Sequence, residues 1–377
     1  MSRISLVMIV RDAAALLPGF FAHHAGLWDE AVVVDTGSAD RTPERAAEAG
    51  ARVFRQPWQD DFSAPRNFGL QQAGGDWILV LDADERIATG DFAALRAAAA
   101  AAADRAWLQD TINYCNQRSH LEWRPVQGRY PAEEGICTGY FLARRVGLFP
   151  RRDDLRFRGR IHESVLPACQ AIGLRVEALG IPVHHYGYVR GAGVDEQRRE
   201  LYEKLAAAKL GDDPGDWSAR LEYASALLER GCIEAADSEL TRLAAGPGHL
   251  RPVARGRFLL GRLRREAGDL AAAGDLLGAV VRDDPTFLFG WLEWLRLLAG
   301  QERWREVFAA LAEARRACGT DEPLLDREEL LALARTGQLV AARELADRVV
   351  ARCPGWPELA GVRDRLRAAT GAPPDRE

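Results

Sequence analysis

The sequence contains few cysteines, and their positions exclude several classes of protein. The six cysteines of the 377-residue chain are Cys115, Cys137, Cys169, Cys232, Cys318 and Cys353. None of them forms a Cys-X-X-Cys pair or has the spacing of a metal-ligand set, which argues against a zinc module and a disulfide scaffold. We interpret them as free thiols of a cytoplasmic protein, although their number leaves a single disulfide bond open.

Long apolar runs and a strong excess of one charge are also missing. No run approaches the roughly 20 apolar residues of a membrane-spanning helix, so no transmembrane segment is expected. The apolar stretch near the N-terminus is followed at once by Asp12 and not by a small-residue cleavage site, so it is interpreted as a strand. The formal net charge of −5 gives no sign of nucleic-acid binding.

The first half of the chain alternates short apolar runs with amphipathic stretches. The apolar runs are ISLVMIV (4–10), AVVVD (31–35), ARVFR (51–55) and WILVLD (77–82). The helical patterns between and after them cover 13–26, 40–49, 63–73 and 92–103. Strands that alternate with helices over short connections predict an α/β domain with a Rossmann-like, mostly parallel sheet over residues 1–190. Continuous apolar runs indicate strands that are covered on both faces.

The second half contains no strand pattern and repeats similar helical phrases. Aligned apolar residues of these phrases are Ile233, Leu270, Trp304 and Leu339, at spacings of 37, 34 and 35 residues. Prolines follow the phrases at Pro247, Pro285, Pro323 and Pro354. A period near 34 predicts a tetratricopeptide-like all-α domain over 215–370, and the alternative is an irregular helical bundle. Residues 191–214 are expected to form a linker helix, and 371–377 a disordered tail.

The third phrase departs from the pattern because it lacks the turn glycine at the aligned position. It is therefore the weakest match among the four helical phrases. The agreement of spacing, turn residue and terminal proline in the others favours the repeat.

Two carboxylates follow the last apolar run of the first half. Asp82 and Asp84 stand at the carboxyl end of a predicted strand, where open parallel sheets bind their ligands. Alternation along an extended segment sends both side chains to one face, where they repel each other unless a cation lies between them. Mg²⁺ and Mn²⁺ prefer oxygen ligands and bridge to phosphates, so the DxD motif predicts a metal–diphosphate site. The alternative is a turn that only caps the following helix.

Two further residues support a ligand site at this edge. Asp35 ends the second strand, and Arg66 precedes the fourth. A guanidinium can bind a phosphate through two parallel hydrogen bonds. Acids at several strand ends together with this arginine predict a pocket for a nucleotide diphosphate.

Residues 4–86 contain the phrases SLVMIVRD, VVVDTGSADRT, WQDDFSAPRNFGL and ILVLDADERI. With these phrases, the region resembles a family 2 glycosyltransferase of the GT-A fold. With RFRGRIHESV (156–165), PVHHYGY (182–188) and the repeats, the chain is similar to the peptide S-glycosyltransferases of bacteriocin biosynthesis. Lipopolysaccharide-core glucosyltransferases are near relatives of that subgroup. The resemblance implies a metal-dependent, inverting transfer from a nucleotide-sugar donor, a UDP-hexose.

The resemblance also implies roles for single residues at the nucleotide. Val10 and Arg11 would line the base, and Asp35 would accept a hydrogen bond from a pyrimidine ring NH. Asp82 would contact the ribose or a metal-bound water, with Ala83 beside it at the nucleotide sugar. The alternative for Asp35 is a helix-capping side chain.

The metal and the diphosphate would be held by residues from three regions of the sequence. Asp84 would bind the divalent metal directly, and Arg66 would reach the base or the diphosphate. A late histidine completes the metal shell in related transferases, and His185 matches that position, with His184 beside it. Imidazole suits Mn²⁺ better than Mg²⁺. The alternatives are a surface ion pair for Arg66 and a packed strand-end histidine for His185.

Inverting transfer needs a base that takes the acceptor's proton. Glu163 in GRIHES is the residue we assign to this role, with His162 as the alternative. A salt bridge from Glu163 to one of the many arginines is the structural alternative. A thiol acceptor would need less help, because cysteine is partly ionised near neutral pH.

The acceptor is less defined than the donor. Residues 120–135 are long, polar and punctuated by aromatics, and they are interpreted as an acceptor lid. The repeats are expected to dock a peptide or protein acceptor, or to form a homodimer. Two other hypotheses stay open: transfer to a lipopolysaccharide-core or lipid-linked acceptor, and a non-catalytic scaffold with a degenerate transferase domain.

Overall fold

The computed structural model describes residues 2–100, 104–118, 120–190 and 196–371. The chain divides into two compact units. The sheet unit comprises Met1–Asn116, Tyr130–Gly135 and Tyr140–Arg198, and the repeat unit comprises Gln117–Arg129, Ile136–Gly139 and Arg199–Glu377. Part of the predicted lid, up to Arg129, therefore belongs to the repeat unit.

The described residues form ten strands. They are β1 (Ile4–Val10), β2 (Glu30–Asp35), β3 (Arg52–Arg55), β4 (Trp77–Val80), β5 (Glu85–Arg86), β6 (Arg105–Tyr114), β7 (Arg124–Pro125), β8 (Gly139–Pro150), β9 (Arg175–Ala178) and β10 (Val183–His185). The order in the sheet unit is β3-β2-β1-β4-β8-β6-β10-β5, and β9 pairs with β6. The pairs among β1 to β4 are parallel, whereas β8 runs antiparallel to β4 and β6. The predicted α/β fold with a mostly parallel sheet is confirmed.

The helices of the sheet unit cover both faces of the sheet. They are α1 (Leu17–His23), α2 (Thr42–Glu48), α3 (Ser63–Gln72), α4 (Phe92–Ala100), α5 (Pro131–Glu134), α6 (Leu166–Ala171) and α7 (Gly187–Arg190). Along β1, Leu6 and Met8 belong to the core on one face, and Val7 belongs to the core on the other. The residues of both cores are buried, which explains why β1, β2 and β4 are apolar at most positions.

The four strands expected from the apolar runs are all present, and the fourth is shorter than expected. It ends at Val80, so Asp82 and Asp84 lie in the turn that follows and not in an extended segment. Strand alternation therefore does not decide where the two carboxylates point. The predicted helix over 92–103 is present up to Ala100, and its last three residues lie outside the described part.

The repeat unit is built from helix pairs. Its helices are α8 (Glu196–Asp212), which begins at the end of the sheet unit, α9 (Trp217–Glu229), α10 (Ile233–Ala244), α11 (Arg251–Glu266), α12 (Leu270–Asp283), α13 (Leu288–Gly300), α14 (Trp304–Cys318), α15 (Pro323–Arg335), α16 (Leu339–Arg352) and α17 (Pro357–Thr370). The four aligned residues of the sequence repeat are each the first residue of a second helix, in α10, α12, α14 and α16. The predicted helical repeat is confirmed, and the irregular bundle is not.

The turn inside each pair contains a residue with left-handed backbone two positions before the second helix. Gly231, Gly268 and Gly337 occupy this position with φ values of 75°, 85° and 79°. In the third pair Glu302 adopts the same conformation, with φ of 57°. The third pair therefore has the same turn as the others, with a glutamate at the position of the glycine.

None of the described helices is long and apolar enough to span a membrane. Within the described residues, no disulfide bond joins any two of the six cysteines. The predicted linker over 191–214 contains α8 from Glu196 onward, while 191–195 and the tail from residue 372 lie outside the described residues.

Candidate active site at the carboxyl edge of the sheet

The ends of β1 and β2 form one side of the site. Val10 and Asp35 are partners in the parallel register, and both are buried. The Asp35 carboxylate accepts hydrogen bonds from the backbone N–H groups of Gly37 (3.3 Å) and Ser38 (3.2 Å). These bonds fix the start of the loop after β2, and they do not cap α2. The side chain of Arg11, in contrast, is 59% exposed.

The turn after β4 is organised by a buried carboxylate that sequence reasoning missed. Glu85 is 3% exposed, and its Oε2 accepts a hydrogen bond of 2.8 Å from the backbone N–H of Asp82. Arg145 of β8 forms an ion pair with the same carboxylate and also donates to the Val80 carbonyl at 3.3 Å. Burial raises the pKa of Glu85, while the charge of Arg145 opposes that rise. Together, Glu85 and Arg145 fix the two ends of the turn that carries Asp82, Ala83 and Asp84.

Arg66 connects two of the predicted site residues. Its Nε donates to Glu163 Oε1 at 2.5 Å, and its Nη2 donates to Asp82 at 3.1 Å. The guanidinium is 9% exposed, and burial opposes its charge, but Asp82 and Glu163 outweigh that effect and raise the pKa of Arg66. Its Nη1 is buried and has no hydrogen-bond partner within the described parts of the chain. Arg66 therefore forms its ion pairs from a buried position, with the Glu163 side chain 11% and the Asp82 side chain 34% exposed.

The loop that carries Glu163 is fastened to α3, the helix of Arg66. Asn67 donates to the Phe157 carbonyl at 3.0 Å and accepts from the Phe157 N–H at 2.7 Å. Ser63 Oγ donates to the Gly159 carbonyl at 2.6 Å. Glu163 is thereby held against α3, whereas His162 is exposed and has a left-handed backbone with φ of 50°.

Asp84 and His185 meet on the other side of the turn. β5 and β10 pair antiparallel, with Glu85 opposite His185, and this register brings the neighbouring Asp84 to the imidazole. His185 Nε2 lies 3.2 Å from Asp84 Oδ2. Burial lowers the pKa of His185, but the bond and charge of Asp84 outweigh it, so the net pKa is raised. His185 correspondingly holds the pKa of Asp84 below its usual value against the effect of burial.

Asn113, also missed from the sequence, fixes the tautomer of His185. Its amide nitrogen donates to the carbonyls of Thr111 (3.2 Å) and Phe141 (3.4 Å), so its oxygen faces His185 Nδ1 at 2.7 Å. With the proton on Nδ1, the lone pair of Nε2 points at an oxygen of Asp84. Two acceptors this close require between them either a proton, as in the imidazolium that the raised pKa of His185 favours, or a metal cation.

The donor atoms fit a divalent metal. A carboxylate oxygen and an imidazole nitrogen bind metals at about 2.0–2.2 Å, so two such ligands at a right angle are about 3 Å apart. The 3.2 Å between Asp84 and His185 matches this separation. Within the described residues no group of three or more His, Cys, Asp or Glu side chains could hold a metal. Asp84 and His185 would thus supply two ligands, with oxygens of the diphosphate and water as the others.

His184 has a different environment from its neighbour. It is fully buried, its Nδ1 lies 2.9 Å from the Tyr114 hydroxyl, and its ring stacks on the ring of Tyr114. Burial lowers the pKa of His184 to about 4. The packed-histidine alternative thus describes His184, and His185 is the one that faces Asp84.

Comparisons with known proteins agree with this architecture. A family model described as "Glycosyl transferase family 2" matches residues 5–149. A TPR repeat-containing protein of Synechococcus elongatus is 33% identical over 306 residues, which cover 79% of this chain and 70% of that protein. An uncharacterized glycosyltransferase of Rickettsia felis is 33% identical over 87 residues, 23% of this chain and 30% of that protein.

Two solved structures show lower similarity. A TPR protein of Thermus thermophilus has 20% identity and a TM-score of 0.35 over 46% of this chain and 91% of that one. Staphylococcus aureus TarS 1–349, in complex with UDP-GlcNAc, has 16% identity and a TM-score of 0.36 over 89% of this chain and 92% of that one.

A mostly parallel sheet with acids at its carboxyl edge, followed by helix pairs of a tetratricopeptide period, is the architecture expected for the GT-A class with a repeat domain. The chain belongs to the family 2 glycosyltransferases, with tetratricopeptide repeats in its C-terminal half.

Proposed function

We propose that this protein is a metal-dependent, inverting glycosyltransferase that moves a hexose from a UDP-hexose donor to a peptide or protein acceptor docked by its repeats. The observation that carries the proposal is the convergence of two clusters on one turn. Arg66 and Glu163 meet Asp82, while His185 meets Asp84 two residues further on. A scaffold that had lost its activity would have no reason to keep this arrangement of buried charges, which is costly unless paired.

The nucleotide is assigned to the ends of β1 and β2. Asp35 is 3% exposed and its carboxylate is already oriented by two backbone N–H groups. An oriented carboxylate beside the apolar Val10 suits a pyrimidine ring, which offers an NH and two flat faces. The exposed Arg11 would then lie over the base from the solvent side.

The diphosphate is assigned to the turn after β4 and to Arg66. The buried, unpartnered Nη1 of Arg66 is a donor for one of its oxygens, because a guanidinium has five N–H groups and the described bonds use fewer. A divalent metal bound by Asp84 and His185 would neutralise the negative charge that develops on the diphosphate as the diphosphate leaves.

The transfer itself is a single displacement at the anomeric carbon. The acceptor oxygen or sulfur forms a bond to that carbon as the bond to the diphosphate oxygen breaks, and the diphosphate leaves with the electron pair. Glu163 takes the acceptor's proton. Arg66 holds Glu163 through Oε1, which orients the carboxylate and leaves Oε2 as the oxygen for the proton.

A polypeptide acceptor is favoured by the repeat unit, which already packs against a segment of the chain from outside the helix pairs. The described residues of the segment 117–129 belong to the repeat unit, with Trp123 buried in its core and the Trp123 ring 5.8 Å from that of Trp356. Arg124 pairs with Glu322 at 2.6 Å. The alternative, a lipopolysaccharide-core or lipid-linked acceptor, needs a phosphate-binding surface and makes no use of repeats that pack against polypeptide.

The test is a donor screen followed by an acceptor screen. Purified protein with Mn²⁺ should hydrolyse one UDP-hexose slowly and should be inactive in excess chelator. The product of transfer to a peptide should have the opposite anomeric configuration to the donor. Full activity with chelator would contradict the metal, and retention of configuration would contradict the single displacement.

A further inference from the structure

The segment that follows His185 passes directly beside the pair of side chains assigned to the metal. A methyl group placed on the backbone of Gly187 would lie 2.7 Å from His185 Nε2 and 2.8 Å from Asp84 Oδ2. These are the same two atoms that face each other at 3.2 Å. The backbone of Gly187 therefore forms one wall of the space beside both atoms.

The backbone conformation does not explain why this residue is a glycine. Gly187 begins α7, and its φ lies outside the left-handed region that favours glycine. In a helix, alanine is more favourable than glycine by about 1 kcal/mol. Space is the remaining reason, because a methyl carbon less than 3 Å from a nitrogen and an oxygen overlaps with both of them.

The segment is held in place beside the pair by Tyr186. The backbone N–H of Tyr186 donates to the Asp84 carbonyl at 3.1 Å, and its hydroxyl donates to Glu133 Oε2 at 2.6 Å. The Tyr186 ring also stacks on that of Tyr114, with 5.2 Å between the ring centres. Tyr186 thus ties the segment both to the turn that carries Asp84 and to α5, so the segment does not move away freely to admit a side chain.

The two facing side chains are also held in place. His185 Nδ1 lies 2.7 Å from Asn113 Oδ1, so the ring does not turn away without losing this bond. Asp84 stands next to Glu85, whose buried carboxylate pairs with Arg145. A methyl group on the neighbouring backbone would therefore fill the space beside the pair or push the two side chains apart. Either change weakens metal binding, because both ligand atoms must lie about 2.0–2.2 Å from the metal.

We propose that Gly187 is a positioning residue of the metal site, which keeps open the coordination positions through which the diphosphate of the donor reaches the metal. A catalytic metal needs such open positions, whereas a structural metal is closed by four protein ligands. The part of this inference that concerns the diphosphate rests on the proposed function. The effect of Gly187 on metal binding does not.

The first test measures the Mn²⁺ affinity of the full chain by electron paramagnetic resonance of the free ion. Gly187→Ala should weaken binding at least about tenfold, the loss typical when the surroundings of a metal ligand are disturbed. Two other helical glycines of the sheet unit supply controls. At Gly19 of α1 the described residues place no atom within 4 Å of an added methyl group, whereas at Gly69 of α3 the methyl group would meet Val7 Cγ1 at 2.7 Å.

The Gly69→Ala variant separates crowding in general from crowding at the metal. It overpacks an apolar core and should lower the Tm measured by circular dichroism, while its Mn²⁺ affinity stays at the wild-type value. Gly19→Ala should change neither quantity. Wild-type affinity in Gly187→Ala would overturn the proposal, and so would an equal loss of affinity in Gly187→Ala and Gly69→Ala.

A second measurement uses the wild-type protein and does not depend on the folding of a variant. A bound Mn²⁺ with open positions carries exchangeable water, so it should enhance the relaxation rate of water protons. UDP should reduce this enhancement, because its diphosphate displaces the water. A bound Mn²⁺ that gives no enhancement, or an enhancement that saturating UDP leaves unchanged, would overturn the proposal.

Donor hydrolysis on the same preparations separates this inference from the proposed function. If the wild type hydrolyses a UDP-hexose with Mn²⁺ and Gly187→Ala binds Mn²⁺ as the wild type does, the inference fails and the transferase stands. If Gly187→Ala alone loses Mn²⁺ and the wild type hydrolyses no UDP-hexose, the proposed function fails and the positioning role of Gly187 stands.

Discussion

At the scale of single residues, Asn113 offers a test of the metal site that removes no ligand. Its oxygen orients His185. We expect Asn113→Ala to lower the affinity for Mn²⁺ by about 10- to 100-fold, the usual loss when the partner of a ligating histidine is removed. Electron paramagnetic resonance of free Mn²⁺ measures this directly. Asp110→Asn, an exposed change on the same strand, is the control, and equal affinities in all three proteins would argue against the site.

Glu163 can be tested by a change that keeps its shape. In Glu163→Gln the amide oxygen can still accept from Arg66 Nε, but the side chain no longer takes a proton. The turnover number should fall by roughly 10²- to 10⁴-fold while the KM for the donor stays near the wild-type value. His162→Ala should lose less, since His162 is exposed.

The opposite order would assign the base to His162. Near-normal turnover in both variants would mean that the acceptor ionises without a base, as a thiol does.

His24 makes the stability of the sheet unit depend on pH. Burial lowers the pKa of His24 to about 4; its Nδ1–H donates to the Phe20 carbonyl, and its Nε2 accepts from the Ile87 N–H. The folded state therefore favours the neutral ring, and the unfolded state binds a proton below about pH 6.5. Stability is complete above that pH and falls by about 3 kcal/mol as the pH decreases to about 4.

Urea denaturation at a series of pH values measures this dependence. His24→Gln should flatten the curve of unfolding free energy between about pH 6.5 and 4 relative to the wild type. Parallel curves for the two proteins would show that other groups cause the acid lability.

At the scale of elements, the third helix pair contains a strained turn. Glu302 has the left-handed conformation that glycine provides in the other pairs, and a side chain in that conformation costs about 1 kcal/mol. Glu302→Gly should raise the unfolding free energy of the repeat unit by about 0.5–1 kcal/mol, seen as a higher Tm by circular dichroism. Gly268→Ala, at the matching position of the second pair, should lower it. If Glu302→Gly lowers the Tm, helix propensity and not turn strain dominates there.

Elements were predictable from the sequence where their signal is local. The buried strands are visible as apolar runs and the helix pairs as a period near 34, so Ile233 and Leu339 could be aligned at equivalent positions of the repeat. Asn113 and Arg145 could not be found in this way, because a polar residue in a strand has no signature until its partners are known. Glu85 had a weak signal, as an acid directly after the DxD motif, but only its burial shows its role.

The segment 117–129 escaped prediction for the same reason at longer range. Its partners Glu322 and Trp356 lie about two hundred residues further on, and no periodic pattern connects them. The length, polarity and aromatic residues of 120–135 predicted an acceptor lid instead.

At the scale of the whole molecule, the segment 117–129 lies in the first half of the sequence but belongs to the repeat unit. A truncation between the two halves therefore leaves this segment without its partners. Truncation at Pro214 would remove Glu322, Trp356 and Glu358, the partners of the segment, and expose Trp123. We expect the truncated protein to aggregate, and the same truncation with Trp123→Ser to be more soluble by size-exclusion chromatography. In the full chain Trp123→Ala should cost about 3–5 kcal/mol of repeat stability. A truncated wild-type sequence that stays monomeric would contradict this dependence.

The segment also has a consequence for synthesis on the ribosome. Trp123 leaves the exit tunnel 233 residues before Trp356, its partner in the folded protein. At about 5–20 residues per second, this delay is about 10–50 s. During that interval the strands on either side of the segment can pair. The Trp123 side chain, however, does not yet have the residues that it contacts in the folded protein. A nascent chain arrested before residue 356 should therefore present Trp123 to chaperones, and release of the chaperone should coincide with the emergence of the last helix.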